Sequence, residues 1–327
     1  MVLDKKIPTR QSYGEALVEL GKENTNVVVL DADLSTATKT ELFAKEFPDR
    51  FFDMGIAEQD MMGTAAGLST FGKIPYASTF AVFAAGRSYD QIRNTIAHTN
   101  ANVKICATHA GLTVGEDGAT HQMLEDISLM RTLPNMKVFC PSDDVQTKWL
   151  IKEISKTNGP DYVRLARLKT PIIYDEETIK ENNIKFKIGK AITIGNGIDV
   201  SIIAVGVCVS EALKAQEELL KQGINARVVD LFSIKPIDTE AILKCAKETK
   251  LIVTVEDHSI IGGIGSCICE VLADSYEKDA NFSLEKIIRM GVKDTFGESG
   301  KAEELISKYK IDGKAIEEMV LKYFNKI

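Results

Sequence analysis

Short apolar runs alternate along the chain with stretches in which apolar residues recur at helical spacing. In the first half, the apolar runs are residues 27–31, 103–108, 136–140 and 162–166. Runs of this length are typical of strands buried in a parallel sheet, and the spacing between them favours helices, among them one at 80–97. The alternation predicts an α/β fold with mainly parallel sheets.

The second half shows the same alternation after a break. Its predicted strands are 200–205, 226–231, 251–256 and 287–290, and its predicted helices are 210–222, 238–249, 264–273 and 313–324. Between the halves the chain is charged, contains Pro171 and lacks strong periodicity, which is typical of a linker. We therefore predict two α/β domains, residues 1–169 and 187–327, joined by a linker at 170–186.

Composition and charge exclude several classes of protein. The 327 residues are 44% hydrophobic and 27% charged, which is ordinary for a globular protein. The net charge of −7 gives no reason to expect binding to nucleic acid or to a membrane surface. No apolar run reaches membrane-spanning length and the N-terminus has no signal-peptide pattern. We therefore expect a cytoplasmic protein whose six scattered cysteines are reduced.

Glu58 is an acidic residue in apolar surroundings. It follows a short extended run at 50–54 and precedes a stretch at 60–68 that is dense in small and apolar residues, which predicts a helix buried on most of its faces. A carboxylate at this place is either desolvated and bound to a specific partner, or a first-turn acid that the helix dipole favours. The residue alone leaves both interpretations open.

Polar residues follow the predicted strands, and ligands of open parallel sheets bind at the carboxyl ends of strands. Asp33 follows the first strand. The loop at 109–122 follows the second strand and contains His109, His121, three glycines and adjacent acidic residues that include Asp117. Long loops of this kind usually have a function, and a solvated surface loop is the alternative. The spacing of the two histidines matches no recognised metal motif, so we predict no metal site in this chain.

Arginines and phenylalanines lie near the same strand ends. Arg10, Arg164 and Arg167 could each bind phosphate through paired hydrogen bonds, although arginines are also common on surfaces. Phe80 and Phe83 stand at the start of a predicted helix, where their spacing puts them on one face. They form either part of the core or a platform for a flat heterocycle.

Together these residues make the sequence resemble the C-terminal half of transketolase, as found in organisms where the enzyme is split into two chains. Segment 55–59 resembles the glutamate motif of the pyrimidine-binding domain, and segment 78–83 resembles the aromatic wall of the cofactor site. Segment 115–122 is the most specific match, and 296–301 resembles the signature of the C-terminal domain. The alternatives are the beta subunit of 2-oxoacid dehydrogenase first components and deoxyxylulose-phosphate synthase, which share the glutamate but fit 109–122 and 296–301 less well.

The resemblance implies a thiamine diphosphate site. Glu58 would be catalytic, because it would hydrogen-bond the pyrimidine nitrogen of the cofactor and share a proton with it. Phe80 and Phe83 would pack on the pyrimidine ring, and Asp33 would face the cofactor. The cofactor would carry the carbanion chemistry, and the protein would orient and polarise it.

The resemblance also implies a site for phosphorylated sugars. His109 and His121 would contact the sugar oxygens, and one of them would assist proton transfer. Asp117 would bind a substrate hydroxyl. Arg10 and Arg167 would bind the sugar phosphate.

The sequence departs from the family in two places. The family often has a serine in the first loop, where this chain has Ala37. The spacing from Phe83 to His109 is slightly longer than in single-chain enzymes. The first departure removes a serine that often contacts the substrate phosphate in the family. The second makes Phe83 a weaker match to the family than Phe80.

The partner implied by the resemblance is a second chain. Family members bind the diphosphate and its metal ion through a domain with a Gly-Asp-Gly…Asn motif, which this sequence lacks. The resemblance implies an N-terminal transketolase subunit that holds the diphosphate with Mg²⁺ or Ca²⁺, in an assembly of two copies of each chain. Residues 187–327 would supply homodimer contacts. The complex would transfer a two-carbon ketol unit between phosphorylated ketose and aldose sugars.

Overall fold

The structure is a computed structural model that describes residues 2–275 and 282–324. Residues 1, 276–281 and 325–327 of the predicted domains lie outside the described residues. The strands are β1 Val2–Pro8, β2 Val27–Asp31, β3 Phe51–Asp53, β4 Ile74–Phe80, β5 Lys104–Thr108, β6 Lys137–Phe139, β7 Asp161–Arg164, β8 Lys169–Ile172, β9 Ile192–Ile194, β10 Val200–Ala204, β11 Ala226–Asp230, β12 Ser233–Lys235, β13 Leu251–Ser259 and β14 Lys286–Val292.

Helices connect most of these strands. The α-helices are α1 Thr9–Glu23, α2 Ser35–Thr38, α3 Glu41–Glu46, α4 Glu58–Thr70, α5 Tyr89–Gln91, α6 Asp126–Thr132, α7 Asp144–Ile154, α8 Glu176–Glu181, α9 Val207–Lys221, α10 Thr239–Glu248, α11 Ile264–Asp274, α12 Ala302–Lys308 and α13 Gly313–Phe324. Two further segments are π-helical, Val82–Arg87 and Ile92–Ala97, and two are short 3₁₀ turns, Pro48–Arg50 and Leu112–Val114.

Seven strands form the first sheet in the order β12-β6-β7-β5-β4-β2-β3. All neighbours run parallel except β12, which pairs antiparallel with β6 at the edge. Strands β2 and β5 are buried along their whole length, as expected where both faces of a parallel sheet are covered. Because β5, β4 and β2 are adjacent and parallel, the residues that follow them lie side by side.

The second sheet contains five strands in the order β14-β13-β10-β11-β9. Strands β14, β13, β10 and β11 run parallel, and β9 pairs antiparallel with β11 at the other edge. Strand β10 at the centre is buried throughout. The prediction of two α/β domains with mainly parallel sheets is therefore confirmed.

The two halves are joined by ordered structure. Strand β12 belongs to the second half of the chain but extends the first sheet. The predicted linker at 170–186 contains most of β8, which pairs antiparallel with β1, and it contains helix α8, whose N-terminus Asp175 caps. The ranges 1–169 and 187–327 stay predictions, and the connection between them is more ordered than the weak periodicity indicated.

Strand β4 was not among the predicted elements, and it changes the setting of the aromatic pair. The prediction of a helix at 80–97 is wrong at its start, because Phe80 is the last residue of β4 and helical structure begins at Val82. Strand β4 lacks a clear apolar pattern because it mixes small polar residues with apolar ones. Ser78 Oγ lies 2.5 Å from Tyr13 Oη, whereas the buried Thr79 hydroxyl has no hydrogen-bond partner among the described residues.

The π-helical segments lie within or close to the stretch from Phe83 to His109. The first segment, Val82–Arg87, includes Phe83, and the second, Ile92–Ala97, lies between Phe83 and His109. A π turn closes over one more residue than an α turn, as where the Ser88 N–H donates to the Phe83 carbonyl at 3.2 Å. The longer spacing that the family resemblance indicated between Phe83 and His109 stays a prediction.

No helix in the part of the chain that the structure describes has the length and apolar character needed to cross a membrane. All six cysteines carry free thiols, and five of them are buried. This agrees with the expected reduced cysteines, which act as small apolar side chains in the core.

Candidate functional site

Glu58 is a buried carboxylate with one specific partner. It is the first residue of α4, and only 2% of its surface is exposed. Both of its carboxylate oxygens accept hydrogen bonds from Nη1 of Arg87, at 2.8 and 2.9 Å. Of the two interpretations that the sequence left open, the structure favours the desolvated carboxylate with a partner, because the described contacts of this side chain are to Arg87 and not to the helix N-terminus.

Phe80 and Phe83 form a stacked aromatic pair. Phe80 ends β4 and Phe83 lies in the first π-helical segment, so the pair spans the junction of strand and helix. Their ring centroids are 5.9 Å apart and the rings are tilted by only 9°. The guanidinium carbon of Arg87 lies 4.5 Å from the centroid of the Phe83 ring. Arg87 thus contacts both the aromatic pair and Glu58.

His109 stacks on this pair as a neutral imidazole. Its ring centroid lies 3.8 Å from that of Phe80. Its Nδ1 lies 2.9 Å from Thr108 Oγ1, and its Nε2 lies 3.3 Å from Nη1 of Arg10. Because arginine can only donate, Nε2 accepts in this contact and Nδ1 carries the proton. Burial, followed by the nearby charges of Arg10 and Arg167, lowers the pKa of His109 to about 3.

His121 lies at the edge of the same aromatic pair. Its ring is edge-on to Phe80 at 6.4 Å and to Phe83 at 5.6 Å, measured between centroids. Its Nδ1 lies 3.0 Å from Thr120 Oγ1. The structure therefore brings both predicted histidines to the aromatic pair, although they stand at opposite ends of the loop at 109–122.

Arg10 and Arg167 form a positively charged region beside His109. Arg10 donates from Nη1 to the carbonyl of Ala37 at 2.7 Å, so the first loop meets this arginine through its backbone rather than through a serine hydroxyl. Burial and the charge of Arg167 lower the pKa of Arg10. Among the described residues, the buried Nε–H of Arg10 has no acceptor. An anion bound here would offset the repulsion and could satisfy that donor.

Arg167 holds the loop at 109–122 while remaining partly exposed. It donates to the Val114 carbonyl and to Glu116 Oε2, the second contact being 3.0 Å long. Arg164 differs, because it is buried and bonded to Asp126 at 2.9 and 3.1 Å. Arg164 is therefore a structural residue, and the idea that it binds phosphate is wrong.

Asp33 and Asp117 are near the site but outside its contact network. Asp33 is exposed with a φ of 60°, and its N–H donates to Asp53 Oδ1, which also accepts from the Gly55 N–H. Asp117 is exposed and makes no hydrogen bond or ion pair with the described residues. A non-glycine residue in the left-handed region is strained, and such strain is common at functional sites. His109, with a φ of 55°, shares this feature.

Residues of the second half of the chain form hydrogen bonds with the loop at 109–122. The Asp257 carboxylate, at the end of β13, accepts from Leu112 N–H at 2.7 Å and from Thr113 N–H and Oγ1 at 3.2 and 2.8 Å. Gln122 donates from Nε2 to the Glu298 carbonyl at 2.9 Å. The two segments that most resemble transketolase, 115–122 and 296–301, are thus in direct contact.

Gly118 shows how close this contact is. Its φ is +74°, and a Cβ at this position would lie 2.4 Å from Ser299 Oγ. A side chain here would therefore be strained by the backbone and would collide with the segment at 296–301. The second half of the chain therefore helps to shape the candidate site, which is a role beyond the dimer contacts that the resemblance implies for it.

Sequence reasoning missed Arg87, Asp257 and Gln122. Arg87 stands at helical spacing from Phe83, a signal that could have placed it beside the aromatic pair. Asp257 lies in a polar triplet that ends an apolar strand, which is an unusual place for charge. Among the residues that the structure describes, no group of three or more His, Cys, Asp or Glu side chains could hold a metal ion.

Comparison with protein families matches both halves of the chain. The profile of the transketolase pyrimidine binding domain matches residues 5–172. The profile of the transketolase C-terminal domain matches residues 189–316. Together they account for most of the sequence.

Individual relatives agree with these matches. A transketolase C-terminal section of Methanocaldococcus jannaschii is 51% identical over 97% of this chain and 96% of that protein. The 6-deoxy-6-sulfo-D-fructose transketolase subunit of a Clostridium species is 38% identical over 94% of this chain and 91% of that one. Human transketolase is 38% identical over 96% of this chain, which spans 49% of the human protein.

Solved structures show the same relationship. A split-gene transketolase in an inactive beta4 tetramer superposes with a TM-score of 0.86 at 49% identity, over 97% of this chain and 98% of that one. A Pichia stipitis transketolase in complex with sedoheptulose 7-phosphate superposes with a TM-score of 0.79 at 25% identity, over 98% of this chain and 46% of that one. The chain therefore belongs to the transketolase family and carries its pyrimidine-binding and C-terminal domains.

Proposed function

We propose that the chain is the C-terminal subunit of a split transketolase, which transfers a two-carbon ketol unit between phosphorylated ketose and aldose sugars with thiamine diphosphate. The observation that carries the proposal is the buried Glu58 carboxylate beside the stacked pair of Phe80 and Phe83, with both loop histidines against those rings. The near full-length likeness to a transketolase C-terminal section supports it.

The residues present fit the pyrimidine half of thiamine diphosphate. Glu58 would hold a proton at a carboxylate oxygen and share it with the pyrimidine nitrogen. Phe80 and Phe83 offer a flat apolar surface for an aromatic ring, and Asp33 would stand at the rim. When bound, thiamine diphosphate supplies the carbanion chemistry of the reaction.

We assign the sugar phosphate to the positively charged region of Arg10 and Arg167. The unpaired Nε–H of Arg10 and the repulsion between the two guanidinium groups support this assignment. His109 would accept a hydrogen bond from a sugar hydroxyl at Nε2 in place of the one from Arg10, because its lowered pKa of about 3 keeps it neutral. We therefore assign proton transfer to His121, and hydroxyl binding to the exposed Asp117.

The proposed partner is an N-terminal subunit that holds the diphosphate and its Mg²⁺ or Ca²⁺, in a cytoplasmic assembly of two copies of each chain. Exposed apolar side chains near Glu58 support a covering chain, since Ile56 is 77% exposed and Phe52 is 39% exposed. The related split-gene protein is inactive as a tetramer of one kind of chain, which also supports the need for a second chain. Residues 187–327 would add homodimer contacts.

The test is to reconstitute the complex and supply xylulose 5-phosphate and ribose 5-phosphate. We expect sedoheptulose 7-phosphate from the complex and none from either chain alone. A Glu58→Gln complex should bind substrate but lose most of its turnover, since it cannot share the proton. A complex that binds thiamine diphosphate but forms no sedoheptulose 7-phosphate would contradict the proposal.

The same assay separates the other candidate substrates. A 6-deoxy-6-sulfo-D-fructose donor belongs in it, because one relative is named for that sugar and the two arginines could bind a sulfonate as well as a phosphate. Turnover of pyruvate in place of ketose phosphates would instead favour a 2-oxoacid dehydrogenase or deoxyxylulose-phosphate synthase function.

A further inference from the structure

The Arg87 side chain makes both contacts that the proposed function assigns to the pyrimidine ring. Its Nη1 donates to both oxygens of Glu58, at 2.8 and 2.9 Å. Its guanidinium carbon lies 4.5 Å from the centroid of the Phe83 ring. A guanidinium and an aminopyrimidine are both planar, nitrogen-rich groups that stack on aromatic faces. The guanidinium donates to Glu58, whereas the pyrimidine nitrogen would share the proton that Glu58 holds.

The position of Arg87 on its helix explains how it reaches this place. It ends the π-helical segment Val82–Arg87, four residues after Phe83, so the two side chains lie on the same side. Its carbonyl accepts from Gln59 Nε2 at 3.3 Å, which holds this turn against the start of α4. The Arg87 side chain is 48% exposed, whereas that of Glu58 is 3% exposed. The guanidinium therefore approaches a buried carboxylate from the solvent side and has room to withdraw.

Glu58 needs a partner when no cofactor is bound. A buried carboxylate without a hydrogen-bond donor is strongly unfavourable. Within residues 2–275 and 282–324, Arg87 is the only side chain that bonds to it. One nitrogen of Arg87 donates to both carboxylate oxygens, so each oxygen of Glu58 has a donor in the absence of a ligand.

We propose that Arg87 is an internal substitute for the pyrimidine ring: it pairs with Glu58 over Phe83 in the cofactor-free chain and must withdraw before thiamine diphosphate can bind. This inference rests on the proposed function. Arg87 and the pyrimidine ring of the cofactor compete for the same place beside Glu58 and Phe83. The apparent affinity for the cofactor is therefore the intrinsic affinity multiplied by the fraction of molecules in which Arg87 has withdrawn. While Arg87 occupies this place, the buried Glu58 carboxylate has a hydrogen-bond donor in the absence of cofactor.

The alternative role for Arg87 predicts opposite results. If Arg87 stayed on Glu58 in the loaded complex as a positioning residue, removing it would weaken cofactor binding and turnover together. If it only stabilised the fold, removing it would lower stability equally with and without cofactor. Competition alone predicts tighter cofactor binding together with a less stable cofactor-free protein.

The first experiment is calorimetric titration of thiamine diphosphate and Mg²⁺ into the reconstituted complex. We expect Arg87→Ala and Arg87→Met to lower the dissociation constant about tenfold. Arg93→Ala is the matched control, because Arg93 is exposed in the next π-helical segment and bonds to Asn94. It removes the same charge and should leave the dissociation constant unchanged. Equal or weaker binding by both Arg87 variants would overturn the proposal.

The second experiment uses the cofactor-free chain and does not require activity. Arg87→Ala should lower its melting temperature by roughly 2 °C or more, and should have little effect in a Glu58→Gln background, where no buried charge needs a partner. Saturating cofactor should remove the difference in the complex. A melting temperature that Arg87→Ala leaves unchanged would overturn the proposal. Failure of the wild-type complex to bind thiamine diphosphate would instead count against the proposed function.

Discussion

His109 illustrates how surroundings decide the chemistry of one side chain. Burial against Phe80 and two neighbouring guanidinium groups favour its neutral form, and its pKa is lowered to about 3. A histidine in this state offers a fixed hydrogen-bond acceptor at Nε2 and carries no charge at physiological pH. Its proposed role is therefore substrate orientation.

We predict that His109→Gln lowers kcat/KM without moving the acid limb of the pH profile. Loss of the hydrogen bond to the sugar should reduce kcat/KM about tenfold. Because His109 is already neutral well above its pKa of about 3, the profile between about pH 5 and pH 8 should keep its shape. Steady-state kinetics of the reconstituted complex across this range would test it, with His121→Gln for comparison. An acid limb that shifts only in His109→Gln would contradict the prediction.

The sequence indicated Glu58 but not its partner. A lone acid ahead of an apolar helix is compatible both with a desolvated carboxylate and with a first-turn acid, and the residue alone left this open. The pairing with Arg87 joins residues 29 positions apart and depends on how β4 and the π-helical segment place that side chain. Such a contact has no periodic signal in the chain.

At the scale of elements, the loop at 109–122 depends on the second half of the chain. Asp257 accepts three hydrogen bonds from Leu112 and Thr113, and it is fully buried. Gln122 anchors the far end of the loop on the Glu298 carbonyl. The histidines at the ends of the loop are therefore held in place from the second half.

We predict that Asp257→Ala destabilises the protein and loosens this loop. Three donors would lose their acceptor in a buried place, which should cost on the order of 3 kcal/mol. Hydrogen exchange at 109–122 should speed up, and urea unfolding should report the loss of stability. Asp49→Ala is a suitable control, because Asp49 is exposed and bonds to no described side chain. Unchanged exchange at 109–122 in Asp257→Ala would show that the loop is ordered without this carboxylate.

The elements that the sequence revealed are those buried by helices on both faces. Strands β2, β5, β10 and β11 are buried along their whole length and are mostly apolar. Their few polar residues have partners, as Lys104 in β5 has Asp161 and Arg227 in β11 has Glu248.

Strands β9 and β12 are three residues long and lie at sheet edges. Strands this short contain too few buried residues to form a recognisable apolar pattern in the sequence. Strand β4 is central but carries the buried hydroxyl groups of Ser78 and Thr79 among its apolar residues. Pattern alone therefore missed it.

At the scale of the whole molecule, the buried carboxyl group of Asp230 joins the second half to the first, and the buried carboxyl group of Asp143 shares partners with it. Asp230, at the end of β11, accepts from Ser142 Oγ at 2.8 Å, Gln146 Nε2 at 2.9 Å and Tyr174 Oη at 2.5 Å. Asp143 accepts from the backbone N–H groups of Gln146 and Tyr174 at 2.8 and 2.9 Å. The partners of Asp230 lie in the first predicted domain and in the predicted linker, so Asp230 connects the second half of the chain to both. The sequence could show the change in composition there but not this junction, which forms only when the sheets pack.

The junction should make stability depend on pH. Burial raises the pKa of Asp143 and of Asp230 to about 6, from an ordinary value of 3.8, and the hydrogen bonds offset only part of that cost. Because the folded state holds these protons more tightly than the unfolded chain, the stabilisation is fully present below about pH 4 and is lost as the pH rises through about 6. For each group the difference is on the order of 3 kcal/mol.

We predict that Asp230→Asn flattens this dependence. Between pH 4 and pH 7, the free energy of unfolding of the wild type relative to Asp230→Asn should fall by about 2 to 3 kcal/mol, because the variant has no proton to lose at this position. Urea unfolding at a series of pH values measures both curves, and Asp49→Asn, at an exposed carboxylate, should follow the wild type. The two buried carboxyl groups repel each other when both are ionised, so Asp230→Asn should also make Asp143 easier to ionise and flatten the remaining slope. Curves for the wild type and Asp230→Asn that run parallel would mean that Asp230 is ionised in the folded protein throughout the range.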